Sequence, residues 1–472
     1  MKKSVIIVLG GVVFSTLFYQ QFLGINLLLY TLFLTVALAI SNHGILKKPT
    51  ILLSLIAMLS TATAVMVHGT AISITMCLFS TITFLGFVAH ASSSMYVSWL
   101  NGMYNLIVGT FHNFLFQIPN EKTSDPKKVN AFQLTKLIII PLCLVALFTA
   151  LYQQVNPVFN DWLNHIDLSF IDALWVLTAL LGSFIMSNVI KPNALQPLST
   201  TDDLKTNDLE KNIPIAEKFE ELKNEMQVGI YSLVALNVLL AVVLFSEYLF
   251  LYNLNDFKAS ALSQAVHYGV YASIVSIVVA IGLIAYYYRG ALNFISNSKT
   301  LRILTYVWIG LNAVLIASIF TKNYLYISLH GLTYKRVGVM VYLLLCVAGL
   351  LTTYLKVHFK LNFTYLLRRN TAISYVVLCV FALLNWPAII TEYNINHGFE
   401  NKQLFRSMLP QNALVLKENG LLQQTDYRVT GSGYMETKLS VFTDRNWQEF
   451  NLVAHQLKKS NDAQTKNIQP RK

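Results

Sequence analysis

Glu247 and Arg336 are the two residues whose types and settings most invite chemistry. Glu247 stands inside the apolar run VVLFSEYLFLYN, and Arg336 follows Lys335 at the start of another, in NYLYISLHGLTYKRVGVMVYLLL. An ionised side chain in hydrocarbon is costly, so each asks for a partner, a water-filled path or a ligand. Both fall at the outer ends of their runs. A carboxylate and a guanidinium at one depth are expected to pair if their helices are neighbours. Tyr324, Tyr326, His330, Gly331 and Thr333 lie at the same level. With Glu247 and Arg336 they make a candidate ligand-binding pocket open to the outer face. A structural reading stands beside it, in which Arg336 snorkels to the headgroups, Tyr324, Tyr326 and Tyr334 form an aromatic belt, and Glu247 neutralises one cation.

Other chemistry has no motif. There is no HExxH, no P-loop and no GxSxG. The four cysteines, Cys77, Cys143, Cys346 and Cys379, each lie inside an apolar run without metal-ligand spacing, and read as small hydrophobes. No catalytic residue, metal or cofactor is expected.

The elements that must position these residues are membrane helices. Of 472 residues, 55% are hydrophobic and 12% charged, against about 25% charged in soluble chains. Continuous apolar runs recur through residue 390, which fits helices and not the alternation of a β-barrel. The fold class is therefore an all-α integral membrane bundle of about eleven spans. They are placed at 4–19, 22–40, 49–67, 70–89, 134–152, 169–190, 227–251, 266–288, 300–321, 336–355 and 372–390. The stretches 91–118 and 154–168 are amphipathic and read as interfacial helices, the second with Trp162 at headgroup level.

The net charge of +12 marks inner loops and not nucleic-acid binding. With eleven spans and an inner N-terminus, the inner segments carry most of the cations, from Lys2 and Lys3 to Arg368 and Arg369. The outer loops hold Lys258, Lys322, Lys335 and Arg336. Counting 91–118 as a span would reverse that bias. Residues 1–390 thus form a transmembrane domain, and 391–472 an extracytoplasmic tail that leans on the outer ends of the spans. In the inner loop 191–226, residues 198–212 read as irregular and polar, and Ile215, Phe219, Leu222 and Met226 make a lead-in helix. Pro141 and Pro387 are expected to kink their helices. Gly331 and Gly338, seven apart, are expected to let helices approach. In the tail, Asn419-Gly420 marks a turn, Asp444 is a candidate helix cap, and the last dozen residues read as disordered.

Four blocks carry a family resemblance: LFYQQFLGINLLLYTLFL, YISLHGLTYKRVGVMVYLLL, NWPAIITEYNIN and NWQEFNLV. Together they resemble a bacterial family of polytopic inner-membrane proteins known only as a domain of unknown function. The matching positions are Tyr326, Gly331, Leu332, Thr333, Arg336, Tyr393, Asn394 and Ile395. The resemblance implies a bacterial inner-membrane location and an outward tail, and no activity.

The function expected is a non-enzymatic envelope sensor or accessory component. It would bind membrane lipids, or a protein partner through 191–226 or the tail. The alternatives are a transporter with an outward polar vestibule and an intramembrane transferase at the outer leaflet.

Overall fold

The computed structural model describes residues 3–42, 44–109, 172–209, 219–252, 275–294, 298–422 and 441–468, with scattered residues between 141 and 156 and residues 269 and 439. The expected span 134–152, most of 154–168, the Pro141 kink and Cys143 lie wholly or largely outside the described residues. Within them the chain is helical, and the one β feature is an isolated bridge between Asp208 and Leu361.

The first bundle comprises α1 (Lys3–Phe18), α2 (Ile25–Ser41), α3 (Pro49–Val67), α4 (Ala71–Ala89), α5 (Met95–Ile107) and α6 (Ala173–Val189). Its core joins Ile6, Leu38, Ile51, Met58, Phe84 and Met186. Tight turns close it. Gln20 and Gly69 take positive φ values of 53° and 57°, and Pro49 opens α3 where its missing N–H costs nothing.

A second bundle is built from α8 (Phe219–Tyr252), α9 (Val275–Tyr287), α10 (Lys299–His330) and α11 (Tyr334–Phe359). Leu233, Ile277, Ile284, Leu301, Ile316 and Leu350 form its core. Between α6 and α8 lies α7 (Gln196–Leu204), and α12 (Phe363–Ala382) packs on α11 on one side and on α3, α4 and α5 on the other. Among the described residues, five helices are long and apolar enough to cross a membrane, or six if the bent pair α12 and α13 (Trp386–Asn396) is one span. Four shorter apolar helices, α1, α2, α6 and α9, accompany them. Val238, Leu239, Val242 and Phe245 on α8 are exposed, as lipid-facing side chains are. The chain is a multi-pass membrane protein.

Several local expectations need correction. Helix α10 does not end at residue 321 but continues to His330, because nothing breaks it before Gly331, whose φ is +79°. Residues 323–330 are therefore helix and not loop. The lead-in helix expected before residue 227 is continuous with its span as α8, and Ile215 lies outside the described residues. Residues 196–204 are not irregular but form α7, because Ser199 and Asp202 find buried partners. Gly338 has open space where a Cβ would stand, so it is not a point of close helix approach. Pro387 does break its span. Trp386 donates its indole N–H to the Phe381 carbonyl over 2.8 Å, Asn385 caps α13, and the two helices bend by 64°.

In the tail, α14 (Lys402–Ser407), α15 (Ala413–Glu418) and α16 (Leu452–Ile468) share a small core of Phe405, Leu409, Ala413, Leu416 and Leu457. Gly420, with φ +68°, follows the end of α15, so Asn419-Gly420 terminates a helix. Asn451, and not Asp444, caps α16 by accepting from the Ala454 N–H at 3.2 Å, while Asp444 pairs with Lys458 at 3.2 Å. Residues 461–468, expected to be disordered, continue α16. The segment 446–451 is fastened to the α1–α2 turn. Ile25 and Asn26 donate backbone N–H groups to Phe450 and Gln448, and Phe22 donates to the Glu449 carboxylate.

Candidate functional site

The sequence-derived site divides in two. Arg336, Tyr326, His330, Gly331 and Thr333 come together where α10 hands over to α11. Thr333 caps α11 by accepting from the Arg336 N–H. That places the guanidinium over the end of α10, where Nη1 donates to the His330 carbonyl at 2.9 Å and to the Gly331 carbonyl. These are the terminal carbonyls that a helix leaves open, and a cation there also meets the negative end of its dipole. The guanidinium carbon lies 4.0 Å from the Tyr326 ring centroid, and His330 packs against the same tyrosine. The Arg336 side chain is half-buried, and its buried Nε has no acceptor among the described residues, while Tyr324 and His330 are exposed.

From the other side Asn394 clamps the turn. Its Oδ1 accepts from the Leu332 N–H at 2.6 Å, and its Nδ2 donates to the Leu332 carbonyl at 2.9 Å. A Cβ on Gly331 would stand 2.4 Å from Asn394 Oδ1. Glycine is thus required here both by the backbone angle and by the clamp.

Glu247 is not part of this cluster. Its carboxylate forms an ion pair with Lys322 and accepts from the Ser318 hydroxyl at 3.2 Å. The expected Glu247–Arg336 pair is corrected on physical grounds. Helix α10 packs along α8 and carries Lys322 inward of its own end, whereas Arg336 turns back to cap that end. Lys322 is buried and its ammonium lies 4.8 Å from the Phe250 ring centroid. Deeper along the same contact, Asn237 donates to the Leu304 carbonyl at 3.0 Å. Glu247→Ala and Lys322→Ala are each expected to cost about 1.5–3 kcal/mol in detergent. The double change should cost less than their sum, whereas Glu247→Ala with Arg336→Ala should add. Additivity in the first cycle, read from thermal midpoints, would sink the pair.

A second polar centre, missed in the sequence, lies at the opposite ends of the spans. Asp202 on α7 is buried, and its carboxylate accepts from the Ser94 N–H at 2.6 Å, the Tyr96 hydroxyl at 3.1 Å and Arg368 Nη2 at 3.0 Å. Burial opposes the charge on Asp202, but the hydrogen bonds from Ser94, Arg368 and Tyr96 outweigh it and hold the carboxyl below its ordinary range. Asn101 and Asn105, four apart on α5, are buried and read the chain that leads into α7. Asn101 accepts from the Leu195 N–H at 2.9 Å and donates to the Ser199 hydroxyl, and Asn105 exchanges hydrogen bonds with the Asn193 backbone. The expected interfacial helix is thus amphipathic in the reverse sense: its asparagine face is buried in protein, and Leu100, Met103 and Ile107 are exposed. The i, i+4 asparagine spacing was the available signal. Beside this centre the His90 ring nitrogen Nε2 meets Asp203 at 2.6 Å and the Ser92 hydroxyl at 3.0 Å. Both contacts fall on one nitrogen, so Asp203 does not orient His90 as a base toward Ser92.

Residues 5–419 match the model of a family described as a domain of unknown function (DUF4153). The match includes the Arg336 turn and Asn394, and stops before the 446–451 segment. No curated protein and no solved structure matches the chain.

Proposed function

This chain belongs to the DUF4153 family, and on that footing we propose that it is a component of a bacterial cytoplasmic membrane that binds a lipid or protein partner at its outer face, as a sensor or accessory subunit. In this reading about eleven spans cross the bilayer, with the N-terminus cytoplasmic and residues 391–472 extracytoplasmic. The distribution of Lys and Arg supports that orientation. The site is the Arg336 turn with Tyr326, His330, Gly331 and Thr333, and protein partners would use 191–226 or the tail.

One observation carries the proposal. Arg336 is held against Tyr326 by two carbonyls, its side chain is only half-buried, and among the described residues no carboxylate pairs with it. Beside it His330 is exposed. A half-exposed guanidinium fixed on Tyr326 beside His330, with no carboxylate paired to it among the described residues, suits a phosphate or carboxylate. Native mass spectrometry of the full chain released from mild detergent tests it. Wild type is expected to carry a bound species that Arg336→Ala loses while keeping its thermal transition. Bare release of both proteins, equally folded, would overturn it.

A transporter is the second reading, because the Glu247–Lys322 pair sits within the helices and intramembrane charges mark transport paths. Gradient-driven flux through proteoliposomes separates it from the first.

A further inference from the structure

Lys356, near the end of α11, is wholly buried, and among the described residues its ammonium has one acceptor, the Tyr288 carbonyl at 2.7 Å. An ammonium has three donors, and a charge taken out of water needs compensation. Tyr288 follows α9, and its hydroxyl meets Thr305 on α10 at 3.0 Å. Lys356 is therefore tied to the corner where α9 ends and α10 begins. Other cations gather at that corner. Arg302 donates to the Ser298 hydroxyl at 3.0 Å, and the Lys360 ammonium lies 5.1 Å from the Phe294 ring centroid. Arg289 is matched by Glu225 at 2.9 Å. Among the described residues, Arg302, Lys356 and Lys360 have no carboxylate within ion-pairing distance. The stretch 288–302 contains neither Asp nor Glu.

Ser298 starts α10 without capping it through its side chain, so the first amides of a long helix point to the same corner. Three cations without carboxylates among the described residues, one of them buried, thus border the connection between α9 and α10, Lys356 through Tyr288, Lys360 through Phe294 and Arg302 through Ser298, at the level where spans meet the headgroups. The groups match a phosphate.

We propose that this corner, formed by Ser298, Arg302, Lys356 and Lys360, binds the phosphate of an anionic phospholipid headgroup on the membrane face opposite the Arg336 turn. Arg302 and Lys360 contact the phosphate, and Lys356 supplies charge beneath them. The site is separate from the Arg336 turn and stands without it.

The test uses the full chain in mild detergent with dioleoylphosphatidylglycerol or dioleoylphosphatidylcholine, read by native mass spectrometry. Wild type is expected to retain the anionic lipid about tenfold better than the zwitterionic one. Arg302→Gln and Lys360→Gln should each reduce that retention about fivefold, and Arg336→Ala should leave it unchanged. Lys356→Met is expected to abolish the preference. If that variant fails to fold, the two glutamine variants carry the test. Displacement of the lipid by millimolar inorganic phosphate would identify free phosphate as the occupant of the same groups. Equal retention of both lipids by wild type overturns the proposal. So does an undiminished preference in folded Arg302→Gln and Lys360→Gln.

Discussion

Asp202→Ala is expected to lower stability by about 3–5 kcal/mol, read as a fall in the thermal midpoint in mild detergent. The size follows from what the carboxylate does. It is the common acceptor for the start of α5, through Ser94 and Tyr96, and for α12, through Arg368. Its removal strands a part-buried backbone N–H and a guanidinium that also donates to the Asp202 carbonyl. Arg368 keeps partial access to water, with a side chain 23% exposed against 3% for Asp202. Arg368→Ala should therefore cost less than Asp202→Ala, and the double change less than their sum.

The pH dependence has a definite sign. The Asp202 carboxyl is held below its ordinary range in the fold, so its contribution is complete above the unfolded value of about 4. It is lost as pH falls through the lower, folded value. Wild type should thus lose stability on acidification more steeply than Asp202→Asn. Parallel pH profiles for the two proteins would show that Asp202 is not a charged linchpin.

The parts of this molecule that depend on local rules were legible in the residues. Long apolar runs marked the helices, Pro387 marked the break between α12 and α13, and Asn419-Gly420 marked a turn. What depends on helix neighbours was not legible. Hydropathy ends a span near its first charge, which puts Lys322 in a loop and leaves Arg336 at the level of Glu247. The helix in fact runs through Lys322, because Glu247 on α8 stands ready to neutralise it. The Asp202 centre joins residues 108 and 166 positions apart, and no local pattern announces contacts of that range. Even so, the blocks that carry the family resemblance are mostly fastening points. The α1–α2 turn receives residues 446–451, and Gly331-Leu332 receives Asn394. Shared residues at these places report how helix ends are joined.

Gly86→Ala is expected to be among the most damaging single changes in the first bundle, at about 4 kcal/mol or more. Helices α4 and α5 touch backbone to backbone. A Cβ on Gly86 would stand 1.7 Å from the Ser98 carbonyl oxygen, and one on Gly102 would stand 1.9 Å from that of Ile82. The two glycines face each other's helix reciprocally, so either substitution wedges the same contact. An ordinary overpacked core relaxes by moving side chains, at about 1–3 kcal/mol. Here the obstacle is main chain, and α5 cannot retreat easily because Asn101 and Asn105 bind it to the chain leading into α7. Membrane helices depend on such close approach, since lipid supplies no hydrophobic drive to hold them together. Gly310 and Gly338 are the controls. Both are helical with open space at the Cβ position, so alanine there should be neutral or stabilising by about 0.5–1 kcal/mol. The thermal midpoints of Gly86→Ala, Gly102→Ala, Gly310→Ala and Gly338→Ala decide the matter together. A Gly86→Ala protein as stable as the Gly338→Ala control would mean that α4 and α5 do not meet through their backbones.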